Sequence, residues 1–174
     1  GCGCDAHTGD GAGIFMQIPH GFFKSEASAL GFELPEPGDY GVGFLYLSKD
    51  EKARKEEERI FSDVVKEEGQ TLLGWRDVPV DRHDLGGASA AVEPAMRQVF
   101  IGRNPDLKEE IDFQRKLYVI RRIATHRIHY QGIDKKDSFY VATLHCRSIV
   151  YKGMLTTTQL THYFTDLLDE RFET

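Results

Sequence analysis

Short strand-like runs alternating with helix-like stretches predict one domain of mixed helix and sheet. With 174 residues, 40% of them hydrophobic, the chain has enough apolar material for a single core. At this length a folded chain buries roughly 70% of the surface its unfolded form exposes, so no staples are needed. No fixed-period repeat and no low-complexity segment divides it. The predicted order is strand, helix, strand, helix, strand, strand, long helix, strands, short helix. Both a doubly wound α/β sheet and a layered α+β sheet accommodate that order.

The elements follow from local pattern. Three glycines stand within Gly9-Asp10-Gly11-Ala12-Gly13, and the apolar run Ile14 to Ile18 behind them predicts a strand that holds the loop in place. Gly21 to Leu30 predicts a short helix with Phe22, Phe23, Ala27 and Leu30 available to a core and Gly31 as its stop. After the turn-rich Pro35 to Asp39, Tyr40 to Leu47 predicts a second strand. Ser48 and Glu51 fit a capping box for a helix reaching Glu68, with Ala53, Ile60, Phe61, Val64 and Val65 on one side and Gly69 at its end. The charged residues on its other side read as a solvated face.

Leu72 to Val80 predicts a strand that Pro79 terminates or leaves at a sheet edge, and Asp81 to Ala91 reads as loop. Arg97 to Gly102 predicts the next strand. Asn104-Pro105 offers an N-cap and a first helical proline for a helix from Leu107 to about Tyr130, with Phe113, Leu117, Ile120, Ala124 and Ile128 at helical spacing and Gly132 beyond it. Phe139 to Leu144 and Ser148 to Tyr151 are strand-like, Lys152-Gly153 reads as a turn, and a short helix begins near Thr157.

Composition removes several functional classes. A formal net charge of -6 with no basic stripe argues against a nucleic-acid or anionic-membrane surface. No apolar run approaches ~20 residues, and no secretory signal pattern is present, so no membrane association is expected. The three cysteines, Cys2, Cys4 and Cys146, do not form a disulfide framework and suit a reducing compartment. Residue 1 is Gly, and the glycine loop arrives before any element that supports it, so an internal segment of a longer protein is expected.

Each chemical motif has a plainer reading. A phosphate-binding loop needs Lys and Ser/Thr after its last Gly, and a dinucleotide fingerprint needs a strand before the glycines and a helix after them. Here the strand follows, so a structural or pocket-lining loop is the better reading. Cys2-x-Cys4 with His7 and His20 lacks the second ligand pair of a structural zinc site, and no metal is expected. His126 and His129 are expected on a helix surface. Cys146-Arg147 suggests a thiol beside a cation, but neighbours on a strand point to opposite faces, so a buried inert cysteine is expected.

Five longer segments carry a resemblance: Cys4-Asp5-x-x-Thr8 to Ile14, Gln17 to Phe23, Gly69 to Val80, Gln98 to Arg103, and Ile149 to Leu155. Together they resemble the glutaminase domain of glutamate synthase large subunits, from about Gly1 to Phe172. The resemblance implies residues 1–174 as a partial type 2 glutamine amidotransferase domain with the N-terminal-nucleophile hydrolase fold. That fold is α+β, a four-layer αββα sandwich, here expected to be incomplete at both ends.

In that family an N-terminal Cys attacks the glutamine side-chain amide with its own α-amino group as base, and ammonia passes to a synthase domain that makes glutamate from 2-oxoglutarate. The Cys-Gly-[Val/Ile]-Gly-Phe segment bearing that nucleophile is not matched here. Cys2-Gly3 continues into Cys4-Asp5, and Gly41-Val42-Gly43-Phe44 follows Tyr40. The glutamine-clamping His-Ser-Arg-Phe-Ser-Thr-Asn segment, the oxyanion Asn-Gly pair and the substrate Asp are expected after Thr174. No catalytic residue is therefore assigned, and the polypeptide alone is expected to be inactive.

Gly9, Asp10 and Gly11, with Lys152 and Gly153, are the candidate pocket or loop residues. No cofactor is expected in this segment, whereas FMN and an iron-sulfur cluster are implied for the full-length protein. Implied partners are glutamine, the synthase domain of the same chain and a small NADPH-dependent subunit. Bacterial cytoplasm is the expected compartment, with a plastid as the other setting of the family. A non-catalytic regulatory or interaction module retaining this scaffold is the alternative.

Overall fold

Strand β2, Tyr40–Leu47, is apolar or glycine throughout and buried along nearly its whole length, as the central strand of a covered sheet must be. Its side chains alternate between two cores. Val42 and Phe44 enter one, and Leu45 and Leu47 are buried in the other. The computed structural model that shows this describes residues 11–85, 87–131 and 139–172.

The other elements in chain order are β1 (Ala12–Gln17), α1 (His20–Leu30), α2 (Glu51–Glu67), β3 (Thr71–Asp77), α3 (Gly87–Val92), β4 (Ala95–Gly102), α4 (Glu110–Tyr130), β5 (Tyr140–His145), β6 (Ser148–Gly153) and α5 (Thr157–Tyr163). A 3-10 turn over Thr165–Leu168 follows α5. One sheet has the order β3-β4-β2-β5 and a second pairs β1 with β6, every pair antiparallel. Helices α2 and α4 cover one face of the larger sheet through Phe61, Val64, Leu117, Ile120 and Ala124. The other face meets the β1–β6 ribbon, α1 and α5 through a core rich in aromatics, among them Phe22, Phe23, Phe44, Phe100, Tyr151 and Phe164. The layers therefore run helix, four-stranded sheet, then the β1–β6 ribbon with α1 and α5, and the antiparallel pairing selects α+β over α/β.

Most elements stand where the pattern placed them, and the departures have local causes. Gly31 ends α1 in the left-handed conformation, at φ 91°, as its position predicts. Leu30, however, is 53% exposed and not in the core. The cap of α2 is Asp50, whose carboxylate accepts from the Ala53 N–H at 2.8 Å. Ser48 lies too early for a capping box, and its own N–H donates to Glu57 at 3.0 Å. Glu57 is fully buried on a face that charge alone marked as solvated.

Asp81 to Ala91 is not all loop, because α3 takes up its second half and runs on to Val92, and Lys49 donates to the carbonyls of Ala90 and Ala91. Helix α4 starts at Glu110, later than Asn104-Pro105 suggested. Asn104 instead closes a turn onto the Asp106 N–H and reaches back to the Gly69 carbonyl. Gly132 lies outside the described residues, and Gln131 is the last residue of the helix end that is seen. Strand β3 stops at Asp77, and Val80 makes only an isolated bridge to Phe164. Cys146-Arg147 forms the bend between β5 and β6, where the chain leaves one sheet for the other.

Candidate functional site

The two stretches that the sequence singled out, almost a whole chain apart, meet in one ladder. Ala12 pairs with Gly153 and Gly13 with Lys152 in the β1–β6 register. Lys152-Gly153 is thus the end of a strand and not a turn, because both residues pair in register with β1. Gly11, just before the ladder, has φ 130°, a conformation that suits glycine, and a Cβ there would lie 3.8 Å from the Gly153 carbonyl oxygen. Gly9 and Asp10 lie outside the described residues, as do Cys2, Cys4 and His7.

Aromatic groups hold this end of the ribbon over the larger sheet. The Tyr46 hydroxyl donates to the Lys152 carbonyl. Tyr46 and Tyr140 stack with centroids 5.7 Å apart, and the Lys152 ammonium sits 5.6 Å from the Tyr140 ring centroid. Burial, and then the neighbouring Tyr140, pushes the Tyr46 phenol well above its ordinary range.

Beside this contact four buried polar side chains close a ring. Arg76 on β3 donates to both carboxylate oxygens of Asp166, at 2.6 and 2.8 Å, and to the Gln98 side-chain oxygen on β4 at 2.9 Å. The Gln98 amide donates to the Tyr151 hydroxyl of β6 at 2.9 Å, and that hydroxyl donates to Asp166 at 2.7 Å. Burial opposes the Arg76 charge, but the Asp166 hydrogen bonds and charge outweigh it and keep the guanidinium above its usual pKa. Burial, then the Asp166 charge, holds the Tyr151 phenol protonated far above the usual range. The guanidinium also lies over the Phe22 and Phe23 rings, at 5.2 and 5.9 Å, which ties in α1.

An open cleft borders the ring, lined by Leu30, Arg76, Pro79, Asp166, Leu168 and Asp169. At its edge Arg171 bonds Asp169 and Glu26 and holds the Asp169 carboxyl down at about 2. Arg76 is thus neutralised on its inner side, and the cleft rim is acidic. His126 is exposed and stacks on Tyr130, and His129 is also exposed, which agrees with a helix surface.

Cys146 is buried and free. Burial raises its thiol pKa, and Glu110 raises it further from 3.8 Å, while the cation of Arg147 is bound to that same Glu110 at 2.6 and 2.7 Å. The cation beside the thiol is therefore answered by a carboxylate. Among the described residues no group of three or more His, Cys, Asp or Glu could hold a metal ion. Cluster ligation uses several Cys thiolates, and Cys146, the one cysteine among the described residues, does not make such a set there. No helix among the described residues is long and apolar enough to cross a membrane.

The sequence model of the family Glutamine amidotransferases class-II matches residues 1–174. The chain belongs to that family. It is 44% identical over 172 residues to the glutamate synthase [NADPH] large chain of Bacillus subtilis (strain 168), covering 99% of this chain and 11% of that protein. To the glutamate synthase [NADH] of Schizosaccharomyces pombe (strain 972 / ATCC 24843) it is 36% identical over 170 residues, covering 95% and 8%. To the chloroplastic ferredoxin-dependent glutamate synthase 2 of Arabidopsis thaliana it is 32% identical over 173 residues, covering 99% and 10%. The chain spans about a tenth of the length of these relatives.

Sequence reasoning about this member of the family missed the buried ring. Arg76 lies inside the Gly69 to Val80 segment, where it served only as a mark of resemblance. A strand Arg next to Trp75 was the available signal, since a buried guanidinium needs an acid. Nothing local marks Asp166 as that acid.

Proposed function

We propose that this chain forms the scaffold of the glutaminase site of a glutamate synthase. The match of one amidotransferase family over residues 1–174 carries this reading. The three relatives described above share the name glutamate synthase and differ in the electron donor they name. In the proposed reaction a Cys thiol gives its proton to the base and attacks the side-chain carbonyl of glutamine, the C–N bond breaks as the amide nitrogen takes up that proton and leaves as ammonia, and water cleaves the resulting thioester to glutamate and the free thiol. An α-amino group, which titrates near ~7.7 to 8, is a suitable base for the thiol. That ammonia then enters glutamate formation from 2-oxoglutarate in a synthase domain of the same polypeptide. FMN and an iron-sulfur cluster belong to that domain in the proposal, with a small NADPH-dependent subunit as partner, in a cytoplasmic or plastid setting.

The residues here hold and shape. The β1–β6 ladder presents Gly11 and Lys152-Gly153 at one end of the sandwich, next to Gly9 and Asp10 in sequence, and we assign these five residues to the rim of the glutamine pocket. No stretch of this sequence reads Cys-Gly-[Val/Ile]-Gly-Phe. The 174-residue polypeptide by itself is therefore expected not to hydrolyse glutamine.

The test is a glutaminase assay on two proteins, the polypeptide encoded by the whole reading frame and the 174-residue chain. Glutamate release by the first, abolished by replacing the Cys of a Cys-Gly-x-Gly-Phe start, supports the proposal. Release by the second that Cys2→Ala abolishes overturns the assignment of the nucleophile. A reading frame with neither that start nor a His-Ser-Arg-Phe segment favours a regulatory or interaction module on the same scaffold.

A further inference from the structure

We propose that Tyr151 and Tyr46 are positioning residues for the glutamine pocket, fixing the Gly11 and Lys152-Gly153 end of the β1–β6 ribbon over the four-stranded sheet. This rests on the glutaminase reading above. A two-stranded ribbon is marginal by itself, so its placement comes from what it touches. At its far end the Ile18 N–H donates to the Arg147 carbonyl at 2.9 Å, and His20 shares a hydrogen bond with Tyr40 at 2.8 Å. At the pocket end two directional ties cross between the sheets. The side chain of Tyr151 bonds Gln98 and Asp166, and the next residue, Lys152, has its carbonyl bound by Tyr46.

These ties act on neighbouring residues from different strands. Gln98 belongs to β4 and Tyr46 to β2, so β6 is located against two strands of the larger sheet. Ile14 pairs with Tyr151, and Gly13 with Lys152, so whatever fixes β6 fixes the start of β1 across the ladder. A Cβ on Gly13 would lie 3.4 Å from the Tyr151 carbonyl oxygen, in ordinary contact, so the two strands meet closely at this junction. Shifting β6 by one residue would turn Tyr151 outward, and shifting by two would move it about 7 Å from Asp166. A phenylalanine at 151 keeps the ring, and Arg76 still satisfies both oxygens of Asp166, so the loss in packing terms falls on the buried Gln98 amide, which is left without its acceptor. What the hydroxyl adds is direction, and pocket geometry is sensitive to displacements of about 1 Å.

The test uses Tyr151→Phe, Tyr46→Phe and the double variant in the polypeptide encoded by the whole reading frame. Glutamine turnover, thermal melting and backbone hydrogen exchange at 12–14 and 152–153 are read together. Ile120→Val, buried among the helices on the opposite face of the larger sheet, is the stability-matched control. The expected result is kcat for glutamine lowered about tenfold in each tyrosine variant with KM unchanged, faster exchange at those amides, and undiminished kcat in Ile120→Val. Unchanged kcat and exchange in the folded double variant overturn the inference, as does an equal loss in the control. A wild-type protein without glutamine turnover overturns the glutaminase reading instead, and the exchange measurement then still decides whether the tyrosines position the ribbon.

Discussion

Arg76 and Asp166, ninety residues apart in sequence, face each other through paired hydrogen bonds of 2.6 and 2.8 Å in the interior. The pair is a planar guanidinium matched to a carboxylate, the geometry in which an ion pair is strongest. Removing one partner leaves the other charge buried. Arg76→Met or Asp166→Leu is expected to cost about 3–5 kcal/mol of unfolding free energy, while the double variant Arg76→Met with Asp166→Leu costs less than the sum of the single changes. Urea denaturation of the four proteins measures this. Additive single losses below about 1 kcal/mol would show that the pair holds nothing together.

How much of this arrangement was legible depends on the range of the interaction. Strand β2 was readable from Tyr40 to Leu47 because its signal is local, an unbroken apolar and glycine run. The start of α2 was misjudged by two residues because Ser48 and Asp50 both have capping chemistry, and only the path of the chain decides which one reaches the Ala53 N–H. Asp166 lies in Thr165-Asp166-Leu167-Leu168-Asp169, which looks like an ordinary helix surface, and its burial requires the chain to return to β3. The glycine loop and Lys152-Gly153 were each marked, but their pairing is a long-range register that neither stretch encodes by itself.

Gly74 and Gly21 separate crowding from backbone freedom. A Cβ on Gly74 would lie 2.5 Å from two ring carbons of Phe32, whereas one on Gly21, in the first turn of α1, would meet nothing within 4 Å. Gly74→Ala is expected to lose about 1–3 kcal/mol as the ring is pushed aside. Gly21→Ala is expected to gain about 0.5–1 kcal/mol, since it restricts the unfolded chain without a native clash. Thermal unfolding of both variants should move in opposite directions, and a shared direction would contradict the geometry.

Cys146 should react slowly in the folded protein. Burial and the Glu110 carboxylate both favour the neutral thiol, so at pH 8 little thiolate is available to an aromatic disulfide reagent. Labelling at Cys146 is expected to become complete only on unfolding. Glu110→Gln removes the like charge and releases Arg147, which lowers the thiol pKa and speeds native-state labelling. Immediate stoichiometric labelling of Cys146 in the folded wild type would refute the buried setting.

The tyrosines predict the alkaline limit of stability. Burial is the largest cause of the raised pKa of Tyr40, Tyr46, Tyr151 and Tyr163, with Glu36, Tyr140, Asp166 and Glu93 respectively adding to it. A phenol whose pKa is higher folded than unfolded binds its proton more tightly in the folded state. Its contribution is complete below the unfolded value of about 10 and is lost as pH rises toward the folded value. Unfolding free energy should therefore fall steadily above pH ~10, and absorbance near 295 nm should show these phenols ionising only as the protein unfolds. Because Tyr151 loses its ionisable group in Tyr151→Phe, that variant should show a shallower alkaline slope than the wild type. An identical slope would mean that Tyr151 is already open to solvent, contrary to its place between Gln98 and Asp166.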